Sequence, residues 1–185
     1  WAAEKEDRWI IEDDYDSEFR FNAHPLPALH TLNGGEKVIY LNTFSKTLAP
    51  SIRISYMVLP PRMAEVFRSI RGDYTQTCSK TEQLTLALFM ESGYYQTHIK
   101  KIRNLYSQKL QTVTRCLATD FTKTRDTYSG LNVILEVDSS KNTSLLAEEA
   151  KSVGINAVPV NTNNDDKTMI LYYNQIPLAD IPAAI

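Results

Sequence analysis

The 185-residue sequence has few of the features that mark secreted, membrane or metal-binding proteins. Its two cysteines, Cys78 and Cys116, stand alone and far apart, which argues against both a disulfide framework and a zinc knuckle. No apolar run reaches the length of a membrane span, and no basic segment leads into an apolar one as in a secretory signal. These absences favour a cytoplasmic protein without membrane contact.

The sequence also lacks an excess of charge of either sign. Its 20 Lys and Arg against 22 Asp and Glu give a net charge of −2, whereas nucleic-acid-binding surfaces usually carry clustered basic residues. We therefore expect no DNA contact within these residues. With 43% hydrophobic residues, the chain can bury a real core, either as one domain or as parts of two.

The first part of the sequence alternates between strand and helix patterns. Apolar runs rich in β-branched residues at 9–12, 38–42 and 54–59 predict central strands of a parallel sheet that is covered on both faces. Two prolines end the third run and favour a helix over 62–71. This alternation predicts an α/β layer.

Helical periodicity dominates the middle of the sequence. Ser79, with Glu82 three residues later, predicts a capped helix that Gly93 ends. Apolar residues at spacings of three and four predict a longer helix over 94–117, which suits a connector between domains. The remainder predicts a smaller α+β unit. Its elements are strands at 131–137, 155–159 and 168–173, a helix at 143–153, and a polar turn or loop at 161–166.

A lysine in the segment TFSKTLAPSIR carries the strongest chemical signal. Lys46 comes just after a predicted strand, with hydroxyls at Thr43 and Ser45 and with Arg53 seven residues beyond it. A lysine held at a strand end among phosphate-type ligands is suited to mounting an aldehyde cofactor as a Schiff base. A Ser-Lys-Thr sequence by itself is usually an exposed loop. The Schiff-base interpretation therefore depends on the combination of the lysine with the hydroxyls, the arginine and the acidic segment upstream.

The upstream segment EDDYDSE supplies the other half of the constellation. Pyridoxal 5'-phosphate needs an amine for its aldehyde, hydroxyls and a guanidinium for its phosphate, and a carboxylate for its pyridine nitrogen. TFSKTLAPSIR offers the first two and EDDY offers the third. Tyr15 adds a hydroxyl donor for the 3'-oxygen of the ring.

Other chemistries fit these segments less well. The acidic run by itself reads as a solvated loop or as a divalent-cation site, but no histidine or second carboxylate cluster accompanies it, and we expect no metal. Ser45 and Lys46 are adjacent, unlike the nucleophile and base of a serine–lysine hydrolase, which lie one helical turn apart. His98 lies on the long predicted helix and is expected to pack or to form a hydrogen bond rather than to catalyse.

Three segments together resemble the fold-type I aminotransferases, and more narrowly the aminotransferase-like domain of the MocR/GabR group of GntR-family bacterial transcription regulators. They are EDDYDSEFRF, VIYLNTFSKTLAPSIRISYMVLPP and SKTEQLTLALFMESGYYQTHIKKIRNLY. The resemblance implies the C-terminal part of a large cofactor-binding domain with a mostly parallel sheet at 1–78. Connecting helices with the long interdomain helix would follow at 79–119, and a truncated small α+β domain at 120–185.

The resemblance also implies roles for individual residues. Lys46 would form the Schiff base, Asp13 would pair with the pyridine nitrogen, and Tyr15 would donate to the 3'-oxygen. Asp14 is the rival for the ring-nitrogen role. The phosphate contacts would come from Thr43, Ser45 and Arg53.

No arginine follows Arg125 in the sequence, and this absence bears on activity. Aminotransferases of the resembled type usually hold the substrate carboxylate with an arginine just before a Leu-x-Phe-like triplet. The corresponding stretch here reads KTMILYYN, where Lys167 lacks the planar fork of a guanidinium. We therefore expect an effector-sensing domain without net catalysis, and an active aminotransferase remains the alternative.

The resemblance implies partners that the chain itself does not show. In the resembled group a winged-helix DNA-binding domain precedes the aminotransferase-like one, so DNA contact is expected only through a domain outside this chain. The effector is expected to be a small amine or amino-acid-like molecule, or pyridoxal phosphate itself, and the protein to be a homodimer. A start without methionine and an end inside a predicted helix indicate a fragment, with further pocket residues upstream of Trp1.

Overall fold

The residues of the chain group into two units in a computed structural model, which describes residues 1–14, 16–21, 27–125, 131–160 and 167–185. Unit 1 comprises Trp1–Ser17 and His24–Ile99. Unit 2 comprises Glu18–Ala23 and Lys100–Ile185. Each unit contains one sheet and at least one helix, so the predicted α/β class is confirmed.

Unit 1 contains a three-stranded sheet in the order β1 (Ile10–Asp13), β2 (Val38–Thr43), β3 (Ser55–Val58). The three predicted strands are present, and β1 pairs with β2 in parallel. The prediction of a parallel third strand is wrong, because β3 runs antiparallel to β2. A parallel return needs a long crossover, whereas the connection at 44–54 holds only turns and a short 3-10 helix, Pro50–Ile52. All four side chains of β3 are exposed, so this strand is not covered on both faces by the described residues.

Three helices follow the sheet of unit 1 along the chain. They are α1 (Pro61–Ile70), α2 (Lys80–Glu91) and α3 (Tyr94–Cys116). Pro61 occupies the first turn of α1, where its missing N–H costs no hydrogen bond. Gly93 separates α2 from α3 with a φ of 74°, a left-handed conformation that glycine adopts without steric penalty. The long helix predicted from the apolar spacing is therefore confirmed, and its residues belong to both units.

The start of α2 differs from the predicted capping box. Ser79 occupies the N-cap position, but its side chain makes no capping hydrogen bond. The Gln83 N–H makes the first helical hydrogen bond, to the Ser79 carbonyl (3.0 Å), and Gln83 Nε2 donates to the Cys78 carbonyl just before the helix (2.9 Å).

A small apolar cluster fixes the turn that follows β2. Phe44, Ile54 and Leu86 are buried in it. Phe44 begins the turn, Ile54 precedes β3 and Leu86 lies on α2, so the cluster packs both ends of the 44–54 connection against a helix. Burial of apolar side chains is what gives a turn of this length a defined position.

Unit 2 is built on a four-stranded antiparallel sheet. Its elements are β4 (Thr122–Arg125), β5 (Asn132–Val137), α4 (Thr143–Ser152), β6 (Ala157–Pro159), β7 (Thr168–Tyr172) and α5 (Ile181–Ala184). The strand order is β4-β5-β7-β6, and every neighbouring pair is antiparallel. β4 was not predicted, because its sequence TKTR has no apolar residue to produce a periodic pattern. The predicted loop at 161–166 lies outside the described residues.

The core of unit 2 lies between its sheet and the second half of α3. It is formed by Leu110, Val113, Leu117, Val133, Leu135, Ala157, Met169, Leu171, Tyr173 and Ile181. Phe19 is fully buried in the same unit and packs edge-on against Tyr106, with 5.4 Å between ring centroids. Throughout the described ranges, no helix combines the length and the apolar character needed to cross a membrane.

Candidate functional site

The acidic segment and the lysine turn both leave the same edge of the unit 1 sheet. β1 and β2 are parallel, with Asp13 opposite Leu41, and the Asp14 N–H extends the ladder by donating to the Leu41 carbonyl at 3.0 Å. Because parallel strands end at a common edge, residues after β1 and after β2 emerge on the same side of the sheet. The sequence-predicted acid and lysine segments are therefore brought together at one strand edge.

Asp13 and Asp14 point to opposite faces of the sheet. Side chains alternate along a strand, and Asp14 Oδ2 accepts a hydrogen bond from the hydroxyl of Tyr40 (2.9 Å), the residue before Leu41. Asp13, opposite Leu41, belongs to the other face, where its side chain is exposed and makes no hydrogen bond or ion pair with any described residue. The Asp14 carboxylate thus accepts a hydrogen bond from Tyr40, whereas the Asp13 carboxylate is available to a ligand.

Tyr40 is the centre of a hydrogen-bond network on the Asp14 face. Its hydroxyl donates to Asp14 and accepts from Asn42 Nδ2, both at 2.9 Å. Asn42 is only 4% exposed, and its Oδ1 accepts the backbone N–H of Thr43 at 2.6 Å. Burial raises the pKa of Tyr40 to about 12, the Asn42 hydrogen bond lowers it, and the Asp14 carboxylate raises it. Tyr40 is accordingly a neutral donor at physiological pH.

The hydroxyls before the lysine form a compact pair. Thr43 Oγ1 lies 3.1 Å from Ser45 Oγ and 3.2 Å from the Ile54 carbonyl oxygen, and it accepts the Ser45 N–H at 3.2 Å. The pair arises because Thr43 ends β2 opposite Ser55, which brings the chain before β3 beside the turn. Two hydroxyls are therefore held together, three residues and one residue before Lys46.

Arg53 has the most unusual backbone in this segment. Its φ of 49° places it in the left-handed region, and no other non-glycine residue among those described has a positive φ. This conformation is uncommon for a residue with a Cβ, and such outliers cluster at ligand sites. Arg53 is exposed and directly precedes Ile54, whose carbonyl contacts the Thr43 hydroxyl.

The turn that carries Lys46 is anchored on its far side by a histidine. Thr47 is 2% exposed, and its carbonyl oxygen lies 2.7 Å from Nε2 of His98 on α3. The Leu48 N–H donates to the Phe44 carbonyl at 2.8 Å and closes the turn. The side chain of Lys46 itself is exposed. The expectation that His98 serves as a hydrogen-bonding residue is confirmed.

Glu12 has a structural role that the sequence did not reveal. Its two carboxylate oxygens accept the backbone N–H groups of Leu29 (2.7 Å) and His30 (2.9 Å), which begin a 3-10 helix. His30 Nδ1 in turn lies 2.9 Å from the Val38 carbonyl on β2. One signal in the sequence could have indicated its orientation. Side chains alternate along a strand, so Glu12, the first acid of EDDY, lies on the same face as Asp14.

The donor set at this edge fits pyridoxal phosphate. An exposed lysine on an anchored turn, two paired hydroxyls, the exposed Arg53 next to Ile54 in the same connection, and a carboxylate without a partner in the described ranges match its aldehyde, phosphate and pyridine nitrogen. The predicted contribution of Tyr15 lies outside the described residues. Among the described residues, no group of three His, Cys, Asp or Glu side chains is placed to hold a metal ion.

Most of the chain matches the model of a known protein family. Residues 2–164 match the family model described as aminotransferase class I and II. The chain belongs to this family. Pyridoxal phosphate is the cofactor that membership implies, in agreement with the donor set.

Similar family members include regulators and enzymes. The uncharacterized HTH-type transcriptional regulator YdeL of Bacillus subtilis is 40% identical over all of this chain and 41% of its own length. The probable rhizopine catabolism regulatory protein MocR of Rhizobium meliloti is 34% identical over 85% of this chain and 32% of its own. Kynurenine aminotransferase of Pyrococcus horikoshii, solved in complex with PMP, is 25% identical with a TM-score of 0.77, covering 98% of this chain and 47% of that one.

These comparisons confirm the resemblance to fold-type I aminotransferases and to the MocR group. The chain spans less than half the length of each of these relatives. The activity of a whole regulator or enzyme of this kind therefore involves residues that this chain does not contain.

The small unit lacks the arginine expected before the Leu-x-Phe-like triplet. The corresponding stretch, KTMILYYN, begins at Lys167 and contains β7. Lys167, the nearest cation upstream, lies just before β7, where its carbonyl accepts the Val137 N–H at 3.1 Å. No arginine follows Arg125 in the sequence, so this strand carries no guanidinium.

Proposed function

We propose that this chain is the cofactor-binding, effector-sensing part of a MocR-type transcription regulator, with pyridoxal phosphate attached to Lys46. The similarity to YdeL over the whole chain and to MocR over most of it supports the regulator over a free-standing enzyme. DNA contact is assigned to a domain outside these residues, because the net charge of −2 shows no excess of the basic residues that nucleic-acid binding usually needs. The regulator is proposed to act as a cytoplasmic homodimer.

The single observation that carries the cofactor assignment is that two adjacent acids lie on opposite faces of the sheet and differ in their hydrogen bonds. Asp14 is bonded to Tyr40, whereas Asp13 lies on the opposite face, exposed and without a partner in the described part of the chain. A carboxylate in that position is available to hold the proton on a pyridine nitrogen and so keep the ring cationic. We therefore assign the ring contact to Asp13 and not to Asp14.

The remaining contacts follow from the lysine turn. Lys46 supplies the amine that holds the cofactor, and the hydroxyls of Thr43 and Ser45, which lie 3.1 Å apart, bind phosphate oxygens. The guanidinium of Arg53 offers a second, bidentate phosphate contact. The Tyr15 hydroxyl is proposed to donate to the 3'-oxygen. When bound, the cofactor contributes an aldehyde that exchanges amines and a ring that withdraws electrons.

Sensing is favoured over turnover because no arginine follows Arg125 in the sequence. Lys167, the cation of the stretch KTMILYYN, cannot form the two parallel hydrogen bonds that an arginine makes with a carboxylate. The effector is accordingly proposed to be an amine without an α-carboxylate requirement, or the cofactor itself. The alternative is an active aminotransferase, which the fold shared with the kynurenine aminotransferase supports.

The covalent attachment is tested by borohydride reduction of the complete protein loaded with pyridoxal phosphate, followed by peptide mapping. We expect the reduced label on Lys46. Lys46→Ala should abolish the label, whereas the matched change Lys80→Ala, at an exposed lysine that begins α2, should leave it in place. A label on another lysine, or equal cofactor binding by Lys46→Ala, would overturn the proposal.

The regulatory role is tested separately by incubation of the loaded protein with amino donors. A sensor should release no keto acid above background over many hours while its absorbance responds to an effector amine. Steady keto acid production would instead establish the aminotransferase.

A further inference from the structure

Tyr40 and Asn42 join the acidic segment to the lysine turn through one continuous set of hydrogen bonds. The set runs from the Asp14 carboxylate to the Tyr40 hydroxyl, then to the Asn42 amide, and from Asn42 Oδ1 to the Thr43 N–H. Thr43 Oγ1 then accepts the Ser45 N–H at 3.2 Å. Each contact is 3.2 Å or shorter, so no member is joined through a gap.

The direction of each hydrogen bond is fixed by its neighbours. A backbone N–H only donates, so Asn42 Oδ1 faces Thr43 and its Nδ2 faces Tyr40. The Tyr40 hydroxyl accepts from Nδ2, and its single proton is left for the Asp14 carboxylate. A network with one consistent set of donors and acceptors holds its members more rigidly than separate contacts do.

The network lies on the sheet face opposite Asp13. Asp14 Oδ2 is held by Tyr40, and the Asp14 N–H is held by the Leu41 carbonyl, so both the side chain and the backbone of Asp14 are fixed. With Asp14 held in this way, the residue before it is directed to the other face. At its far end the network holds Thr43, three residues before Lys46.

From this arrangement we propose that Tyr40 and Asn42 are positioning residues, which hold Asp13 and Lys46 in register with one another without touching the cofactor. The proposal rests on the proposed function, because it concerns the acid and the amine of that same site. It adds a role for the sheet face opposite Asp13, on which Tyr40 lies. The two residues act through Asp14 and Thr43.

The proposal is tested with Tyr40→Phe in the complete protein, using cofactor affinity measured by absorbance titration with pyridoxal phosphate. Removal of the hydroxyl leaves the Asp14 carboxylate and the Asn42 amide without their shared partner. We expect affinity to fall about tenfold, which is the result if that hydrogen bond to a charged group serves to hold Asp13 and Lys46 in the geometry that binds the cofactor. We also expect the midpoint of the absorbance pH titration to move by about half a unit or more, since a displaced Asp13 holds the ring proton differently.

The matched control is Tyr74→Phe, which removes a tyrosine hydroxyl elsewhere in unit 1. Tyr74 is 64% exposed and its hydroxyl makes no hydrogen bond with a described residue, so its affinity and titration midpoint should equal those of the wild type. A double variant with Asp14→Asn should bind no worse than Tyr40→Phe alone, because both changes act through the same bond.

The outcomes separate this proposal from the one on which it rests. If the wild type is labelled at Lys46 and Tyr40→Phe matches Tyr74→Phe in affinity and midpoint, the positioning role is overturned and the cofactor site stands. If the wild type does not bind pyridoxal phosphate, both proposals fall. If Tyr40→Phe does not fold, Asn42→Asp, which keeps the shape of the side chain but removes the amide donor to Tyr40, is judged by the same two readouts.

Discussion

Exchange of Asp13 for its amide should weaken cofactor binding without loss of stability, whereas exchange of Asp14 should lower stability with a smaller effect on binding. Asp13→Asn removes an exposed carboxylate that has no hydrogen bond within the described ranges, and Asp14→Asn changes the acceptor of the Tyr40 hydroxyl. Both changes preserve the shape of the side chain. The pair therefore isolates charge at two positions that are adjacent in sequence but lie on opposite faces of β1.

The sizes of the two effects follow from these environments. A hydrogen bond between a carboxylate and a cationic ring contributes about 1.5–3 kcal/mol, so Asp13→Asn should weaken pyridoxal phosphate binding roughly 10- to 150-fold. The amide oxygen of Asp14→Asn still accepts from Tyr40 at the 2.9 Å site but without charge, which should cost about 1 kcal/mol of stability. Asp13→Asn, as a surface change, should alter stability by less than about 0.5 kcal/mol.

The assays are absorbance titration with pyridoxal phosphate and urea unfolding of the cofactor-free protein. The reasoning predicts a crossed result, with Asp13→Asn defective in binding but stable, and Asp14→Asn less stable but within about tenfold of wild-type affinity. If Asp14→Asn binds the cofactor more weakly than Asp13→Asn, the ring contact belongs to Asp14 and the assignment from strand alternation is refuted.

Two further predictions concern the elements that support the site. Gly35→Ala should destabilise the protein by about 1–3 kcal/mol in urea unfolding. Gly35 has a φ of 71°, and an added Cβ would lie 2.7 Å from the His30 carbonyl oxygen. The control is Gly72→Ala, where an added Cβ meets no atom within 4 Å, and this change should be neutral or stabilising. The pKa of Tyr40 is raised to about 12 and that of Tyr173 is raised further by burial, so the folded state keeps these protons above pH 10, where unfolded tyrosine loses them. Stability should therefore fall between about pH 10 and 12, less steeply in Tyr40→Phe than in the wild type, and equal slopes would contradict the origin assigned to this shift.

The sequence was sufficient for the elements whose signal is local. The long helix α3, the turn with Lys46 after β2, and the glycine between α2 and α3 follow from apolar spacing and from residues with special backbone preferences. Each depends on residues within one or two turns of one another. The prediction succeeded where the determining interactions are close in sequence.

Features that depend on pairing between distant segments were not predicted. The antiparallel direction of β3 is decided by how the chain returns after Pro50–Ile52, and β4 is stabilised by pairing with β5 and not by its own polar sequence. The Glu12 carboxylate binds backbone groups 17 and 18 residues away. Such contacts require the register and the loop path, which apolar periodicity does not contain.

The positions of the acids in EDDY follow from the sequence once the bounds of β1 and its register with β2 are known. Once Ile10–Asp13 is known to be a strand, alternation sends Glu12 and Asp14 to one face and Asp13 to the other. The register with β2 then supplies Tyr40 as the partner of Asp14. The acid that the protein leaves available is therefore determined by strand geometry. Asp14 already accepts the Tyr40 hydroxyl at Oδ2 on one face of the sheet, whereas Asp13, on the other face, makes no hydrogen bond among the described residues and has both carboxylate oxygens available.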